Sequence, residues 1–198
     1  LGEADEIHGE DGNDTLYGNA GDDEIFGGSG NDEIYGNNDN DILRGGVGDD
    51  TLNGSYGNDR LIGDQDNDRL YGNDNDDTLL GGEGSDILNG GAGDDELTGD
   101  GNGIASQSDK FKASPGKDRI TDFNFGEDVL TSSANYEWDR GSVELNSETD
   151  TATVNVLTKI SGEKVGTTTI AFKDKDNYLE LLKVINESPD NDRFPPAG

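Results

Sequence analysis

The chain has 198 residues and a net charge of −31, with no cysteine, no methionine and one histidine. This composition excludes disulfides and argues against a zinc site, and the strong acidity argues against nucleic-acid binding. Only 28% of the residues are apolar, and no stretch is long and apolar enough to span a membrane, which leaves hard cations with oxygen ligands as the favoured partners.

The first part of the chain repeats every nine residues. Glycine opens each unit from Gly9 to Gly99, and Leu or Ile stands at the eighth position from Ile7 to Leu97. Aspartate fills the sixth position without a gap: Asp5, Asp14, Asp23, Asp32, Asp41, Asp50, Asp59, Asp68, Asp77, Asp86 and Asp95. Matches this regular at three phased positions indicate a structural repeat, and because the chain begins in mid-repeat it is expected to be part of a longer protein.

The most regular units read GGSGND, GGVGDD, GGEGSD and GGAGDD. They resemble the repeat G-G-x-G-x-D-x-U-x of the RTX calcium-binding family, in which U is a large apolar residue. The resemblance covers residues 1–104 and implies an all-β, right-handed parallel β-roll. In such a solenoid, six residues of each unit form a turn, three form a short strand, and two units complete one coil.

Elementary geometry agrees with this interpretation. Because side chains alternate along a strand, the Leu or Ile of each unit points inward and its two neighbours point outward. Glycine at the turn positions allows positive φ angles. Where the fourth-position glycine is missing, its substitutes are Asp39, Asp66 and Asn75, and Asp and Asn are the residues that best tolerate that conformation.

Stacking of the coils would place the aspartates in columns. Strands about 4.8 Å apart bring like charges together, and a cation between successive coils removes the repulsion. Calcium accepts six to eight oxygen ligands in loose geometry, whereas magnesium prefers a tight octahedron. The two columns contain about nine gaps, which predicts about nine calcium ions. Asp23 should neighbour Asp5 and Asp41, and Asp32 should neighbour Asp14 and Asp50.

The predicted side-chain ligands are the eleven phased aspartates together with Asp109 and Asp118. The predicted backbone ligands are carbonyls at the second and fourth positions of the units: Asn19, Gly21, Gly28, Gly30, Asn37, Asp39, Gly46, Gly48, Ser55, Gly57, Asp64, Asp66, Asn73, Asn75, Gly82, Gly84, Gly91 and Gly93.

The composition changes near residue 105. Residues 1–104 contain 28 acidic residues and three arginines, a net charge of −25, whereas residues 105–198 have a net charge of −6. We therefore predict a calcium-binding roll over 1–104 and a C-terminal capping region, associated with secretion, over 105–198. Asp109-Lys110-Phe111 and Asp118-Arg119-Ile120 recur nine residues apart and indicate two degenerate coils after a five-residue insertion, which would add one or two ions. The segment 108–130 resembles the one that follows the repeats in serralysin-type proteases and in the R-modules of alginate epimerases.

The C-terminal part has the pattern of a mainly β cap. Alternating Val, Thr and Ile predict strands over 142–146, 151–159 and 165–172. One short helix is predicted near residue 180, because Tyr178, Leu181, Leu182 and Ile185 fall on one face. The tail after this helix reads as disordered. Such a cap would cover the open end of the roll.

The outward residues that flank the inward Leu or Ile form two faces. One face carries Phe26, Ile42, Ile62 and Leu80 with Arg44 and Arg60, and the other carries Tyr17, Tyr35 and Tyr71 with Arg69. Two explanations remain for these residues. They are either the types that exposed strands prefer, or they form a docking surface for another domain or a glycan. His8 is predicted to be an outward strand residue rather than a ligand or base.

One inward Leu or Ile per nine residues is a thin core. We therefore predict that the chain is disordered without calcium and folds when calcium binds. The resemblance further implies export through type I secretion machinery and a location outside the cell or at its surface. The alternative is an adhesive or polysaccharide-binding module. No nucleophile motif is present, so we expect no enzymatic activity.

Overall fold

A computed structural model describes residues 2–100, 107–113, 117–122, 128–132, 135–138, 144–146, 151–160 and 163–172. Every regular element among these residues is a β-strand. The described part of the chain contains no helix with the length and apolar character of a membrane span.

Eleven strands follow one another at nine-residue intervals in the first hundred residues. They are β1 (Glu6–Asp11), β2 (Thr15–Ala20), β3 (Glu24–Ser29), β4 (Glu33–Asn38), β5 (Ile42–Val47), β6 (Thr51–Tyr56), β7 (Arg60–Gln65), β8 (Arg69–Asp74), β9 (Thr78–Glu83), β10 (Ile87–Ala92) and β11 (Glu96–Asp100). The later strands are β12 (Lys110–Ala113), β13 (Arg119–Ile120), β14 (Val129–Ser132), β15 (Asn135–Trp138), β16 (Glu144–Asn146), β17 (Thr151–Ile160) and β18 (Glu163–Phe172).

Odd-numbered and even-numbered strands of the repeat region lie in two different sheets. β1, β3, β5, β7, β9 and β11 pair in parallel in an eleven-stranded sheet, and β2, β4, β6, β8 and β10 pair in parallel in a seven-stranded sheet. The register joins residues eighteen apart, as in Ile25 with Leu43 and Ile34 with Leu52. The predicted parallel β-roll with two units per coil is therefore confirmed.

The strands are longer than predicted. The first ten span six residues each, as in Glu24–Ser29, and leave loops of three residues such as 30–32, while β11 spans five. The prediction of a three-residue strand and a six-residue turn was wrong because ladder pairing resumes after the first-position glycine. Gly28 pairs with Gly46 and Ser29 with Val47 in the next coil.

The core consists of two rows of apolar side chains, and each nine-residue unit contributes one side chain to one row. Nine Leu or Ile residues, from Ile25 to Leu97, are buried, and Phe111 and Ile120 continue the two rows. Ile7 and Leu16 in the first coil are only half-buried. The predicted inward orientation of the eighth position is thus confirmed, and the core is one side chain deep.

The turns need positive φ at the second and fourth positions. Asp39, Asp66 and Asn75, which replace glycine at the fourth position, have φ of 73°, 73° and 83°. This confirms that the residues departing from the repeat satisfy the same backbone requirement as glycine.

Both sheets continue beyond residue 104. Leu88 pairs with Phe111 and Leu97 with Ile120, a spacing of 23 residues that accommodates the predicted five-residue insertion. The two degenerate coils are therefore confirmed, while the domain boundary at 104/105 stays a prediction.

An antiparallel hairpin of β17 and β18 extends the eleven-stranded sheet, with β18 beside β13. It covers an edge that would otherwise offer unpaired backbone groups. The three predicted C-terminal strands are confirmed as β16, β17 and β18, whereas β14 and β15 were not predicted. The predicted helix and tail lie outside the described residues.

Candidate metal centre

The phased aspartates stack in two columns inside the turns. From Asp23 to Asp95 each is at most 2% exposed, and Asp109 and Asp118 are equally buried. Asp14 is half-buried and Asp5, in the first coil, is exposed. Each column consists of carboxylates from successive coils, because the turns repeat every eighteen residues.

One oxygen of each carboxylate is held by the preceding coil. The backbone N–H of Asp5 donates to Oδ1 of Asp23 at 2.7 Å, and the N–H of Asp23 donates to Oδ1 of Asp41 at 2.8 Å. The other column repeats this contact, since the N–H of Asp14 donates to Oδ1 of Asp32 at 2.8 Å and the N–H of Asp32 donates to Oδ1 of Asp50 at 2.7 Å. The predicted neighbours of Asp23 and Asp32 therefore lie beside them.

The second oxygen of each carboxylate is buried and has no hydrogen-bond partner. This holds for Oδ2 of the nine phased aspartates from Asp14 to Asp86 and of Asp109. Leaving such an oxygen both dry and unpaired is costly. Ten such oxygens at equivalent positions favour a bound cation, because a cation would satisfy them.

The first-position glycine provides the space in which this oxygen lies. A Cβ on Gly9 would meet Oδ2 of Asp14 at 2.8 Å and the carbonyl oxygen of Gly27, one coil further on, at 2.6 Å. The same two kinds of oxygen surround the corresponding point at Gly18, at 2.5 Å from Asp23 Oδ2 and 2.9 Å from the carbonyl oxygen of Gly36. The first-position carbonyl, which the sequence did not single out, therefore borders the same space as the carboxylate oxygen.

Burial makes these carboxyl groups weak acids in the metal-free roll. It raises the pKa of Asp68, Asp77 and Asp109 to about 8, and neighbouring aspartates add to the effect while the backbone hydrogen bond opposes it. For the same primary reason, the pKa rises to about 7 for Asp41 and Asp95. A divalent cation would supply the counter-charge that favours the ionised form.

The donor set fits calcium. Among the described residues, no group of three or more His, Cys, Asp or Glu side chains converges on a metal position. Ligands beyond the stacked carboxylates of a column would therefore be backbone or water oxygens. Calcium accepts such a mixture. The carbonyls of the second and fourth positions remain predicted ligands.

A second ladder, which was not predicted, runs along the fifth position. The N–H of Asn31 donates to Oδ1 of Asn13 at 3.0 Å, and the N–H of Asn67 donates to Oδ1 of Asp49 at 2.9 Å. Its donors belong to the following coil, which is the opposite direction to the aspartate ladder. The sequence contained the signal, because all ten fifth positions from residue 13 to residue 94 are Asn, Asp or Ser.

The outward faces carry stacked rings. His8 lies on Phe26 with centroids 4.8 Å apart, and Tyr17 lies on Tyr35 at 5.0 Å. His8 is therefore an outward strand residue, as predicted. Ile62 differs from the prediction of an exposed residue, since it is only 9% exposed, and it lines a shallow depression of about 390 Å³ with Val47 and Leu80.

The sequence model of the RTX calcium-binding nonapeptide repeat matches residues 2–34, 35–70 and 71–102, together just over half of the chain. The chain belongs to this RTX family. The columns of phased aspartates from Asp5 to Asp95 lie within the residues that this repeat model matches. No curated protein sequence matches the chain significantly.

Two solved structures are similar to this RTX chain. The AlgE6R3 subunit of the Azotobacter vinelandii mannuronan C5-epimerase is 17% identical, with a TM-score of 0.43, over 82% of this chain and 84% of that one. The extracellular lipase LipA of Serratia marcescens is 19% identical, with a TM-score of 0.28, over 80% of this chain and 39% of that one.

Proposed function

We propose that, at neutral pH, this RTX module folds only when calcium binds and thereby stabilises an exported protein. The observation that carries the proposal is the column of buried carboxylates whose Oδ2 atoms have no hydrogen-bond partner. In the metal-free roll these groups must either repel one another or take up protons. Calcium removes both penalties at once, so binding and folding are linked.

The thin core supports the same conclusion. Each nine-residue unit buries one Leu or Ile, and most other positions are turn or solvent-facing strand residues. Such a chain gains little hydrophobic free energy against the entropy of ordering its backbone. The roll therefore depends on its ions.

Calorimetric titration of the chain with calcium tests the stoichiometry. We expect about nine ions, with the repeat block falling in net charge from −25 to about −7. The proposal predicts that magnesium produces neither the same heat nor a folded circular dichroism spectrum. A stoichiometry of one or two ions would contradict it.

The export route follows from this folding switch. A chain that remains unfolded at low cytosolic calcium can pass through a type I secretion channel and fold in the calcium of the extracellular medium or cell surface. In this account the module has no catalytic role, because its buried carboxylates bind metal. Secretion of a reporter fused to this chain, with and without the transporter, would test the route.

The charge of the seven-stranded sheet favours a second candidate function, polysaccharide binding. Arg69, Lys110 and Lys112 lie on its outer face near Tyr35 and Tyr71 and form no ion pair among the described residues. On the other sheet Arg44 contacts Asp64 at 2.7 Å and Arg119 contacts Glu96 at 3.6 Å, while Arg60 has no ion pair within the described ranges. An acidic glycan would complement the basic and aromatic face.

A matched pair of variants tests this candidate. Arg69→Glu and Arg60→Glu make the same change on opposite sheets, one residue before a buried Leu. Retention on an immobilised polyuronate in calcium should fall for Arg69→Glu and remain for Arg60→Glu. Equal retention of both variants would remove polysaccharide binding by this face.

A further inference from the structure

Two asparagines stand directly before a glycine that the roll cannot replace. Asn53–Gly54 lies in β6 and Asn89–Gly90 in β10. A Cβ on Gly54 would overlap the carboxylate of Asp59, and one on Gly90 would overlap that of Asp95. In the other described units, the residue before the first-position glycine is His, aromatic, Arg, aliphatic or Thr.

An Asn–Gly pair is chemically reactive because glycine has no side chain to hinder attack by its own backbone nitrogen. The nitrogen of Gly54 attacks the side-chain carbonyl carbon of Asn53, a C–N bond forms, and ammonia leaves. Water then opens the resulting succinimide at either carbonyl and gives aspartate or isoaspartate. The net reaction consumes one water and releases one ammonia, with no change in oxidation state.

The folded strand opposes ring closure. In a β-strand the side chains stand out of the sheet, away from the backbone nitrogens that lie within it. The ladder skips Gly54 itself, but Asn53 and Ser55 on either side of it are paired with both β4 and β8. Asn53 pairs in register with Tyr35 on one side and Tyr71 on the other. Its Oδ1 accepts hydrogen bonds from Ser55 Oγ at 2.8 Å and Asn73 Nδ2 at 3.0 Å.

Asn89 is enclosed in the same way between Tyr71 of β8 and Lys112 of β12. Attack by the glycine nitrogen at either site therefore requires the strand to open. The two pairs lie in the repeat block, so opening of the roll exposes both.

We propose that Asn53 and Asn89 are deamidation sites that the folded roll protects and that loss of calcium exposes. This inference rests on the calcium-dependent folding proposed above. Isoaspartate adds a methylene group to the main chain of β6 or β10 and shifts the eighteen-residue register on which stacking depends. A chain that stays without calcium thus loses the ability to rebuild the roll.

The full chain is incubated at mildly alkaline pH with calcium or with a calcium chelator, and peptides containing each site are followed by mass spectrometry. Asn73 serves as an internal control, because it is followed by Asp74 rather than by a glycine. We expect deamidation of Asn53 and Asn89 to be more than about tenfold slower with calcium, because attack requires strand opening. Equal rates, in samples whose circular dichroism shows folding only with calcium, overturn the inference.

An Asn53→Gln/Asn89→Gln variant separates damage at these sites from damage elsewhere, because glutamine keeps the carboxamide but closes a larger ring more slowly. After incubation with chelator, this variant should recover its folded spectrum on addition of calcium, whereas the parent should not. A third pair, Asn102–Gly103, lies outside the described residues and is unchanged in the variant, so it cannot cause a difference between the two proteins. Equal recovery of parent and variant contradicts the inference.

The same experiment distinguishes failure of the proposed function from failure of the inference. If the samples with calcium and with chelator show the same folded spectrum, calcium-dependent folding is wrong. The inference is then decided by a urea-unfolded sample, in which Asn53 and Asn89 must deamidate faster than in the folded chain. Equal rates in that comparison also overturn it.

Discussion

At the scale of single residues, the fifth and sixth positions of each unit have different tasks although both can be aspartate. Asp49 is exposed, and its Oδ1 accepts hydrogen bonds from the backbone N–H and side-chain amide of Asn67, which lower its pKa. Asp50 is fully buried, and burial raises its pKa to about 6. Of these two carboxylates, only that of the sixth position has a buried oxygen without a hydrogen-bond partner.

Asp50→Asn should therefore weaken calcium binding, whereas Asp49→Asn should not. Both substitutions keep an Oδ1 acceptor and remove one negative charge. We expect Asp50→Asn to raise the calcium concentration at the folding midpoint by about tenfold, because ligand charge is one of the terms that set calcium affinity. Calcium titrations followed by circular dichroism measure both midpoints, and equal midpoints would show that the sixth position is not a ligand.

The pKa shifts predict the pH dependence of the metal-free chain. Folded pKa values of about 6 to 8 exceed the ordinary aspartate value of about 3.9. The stabilisation from protonation is fully present below about pH 4 and is lost as pH rises through 6 to 8. In chelator, circular dichroism should show β structure at acidic pH that disappears toward neutrality.

Calcium binding should follow the opposite pH dependence. Ions bind to the deprotonated carboxylates, so apparent affinity should rise between about pH 6 and 8 and each binding event should release protons. Calorimetry in buffers of different ionisation enthalpy measures this release. A binding heat that is independent of the buffer would contradict protonated carboxyl groups in the metal-free chain.

At the scale of elements, the turns decide which residues the repeat tolerates. Asn75 has φ of 83°, a conformation that Asn and Gly adopt readily and β-branched residues do not. Its N–H donates to the carbonyl of Ala92 at 2.7 Å and so ties two successive coils together. The identity of the fourth-position residue therefore affects the stacking of the coils.

Asn75→Val should destabilise the calcium-bound roll by about 1–3 kcal/mol, the usual cost of holding such a residue at positive φ. Asn75→Gly should leave the stability within a few tenths of a kcal/mol of the parent, because glycine accepts this conformation. Thermal unfolding in saturating calcium measures the difference. Equal stabilities of the two variants would contradict the role of backbone conformation at this position.

Much of the arrangement of strands and turns could be predicted from the sequence, because glycine, aspartate and Leu or Ile each recur at a fixed position of the repeat. Asp32 and Ile34 could be assigned to a column of carboxylates and a core row from spacing alone. The six-residue strands could not, because pairing beyond Gly27 depends on the neighbouring coil rather than on local residue preference. The carbonyl of Gly45 near Asp32 was missed for the same reason, since a backbone contact between coils leaves no mark on residue type.

At the scale of the whole molecule, the roll is a one-dimensional stack whose stability comes from contacts between successive coils. The described C-terminal strands extend one sheet beyond β13 and protect its edge. The sequence predicted this cap from the change in composition, but the order of its strands depends on long-range pairing that no local pattern encodes. Every coil contributes the same kinds of contact, so folding should respond to calcium as a cooperative unit.

Circular dichroism of the full chain, titrated from chelator to millimolar calcium at neutral pH, tests the central claim most directly. We expect a disordered spectrum without calcium and a cooperative change to a β spectrum as calcium is added, with no comparable change in magnesium. A β spectrum in chelator that calcium leaves unchanged would contradict it.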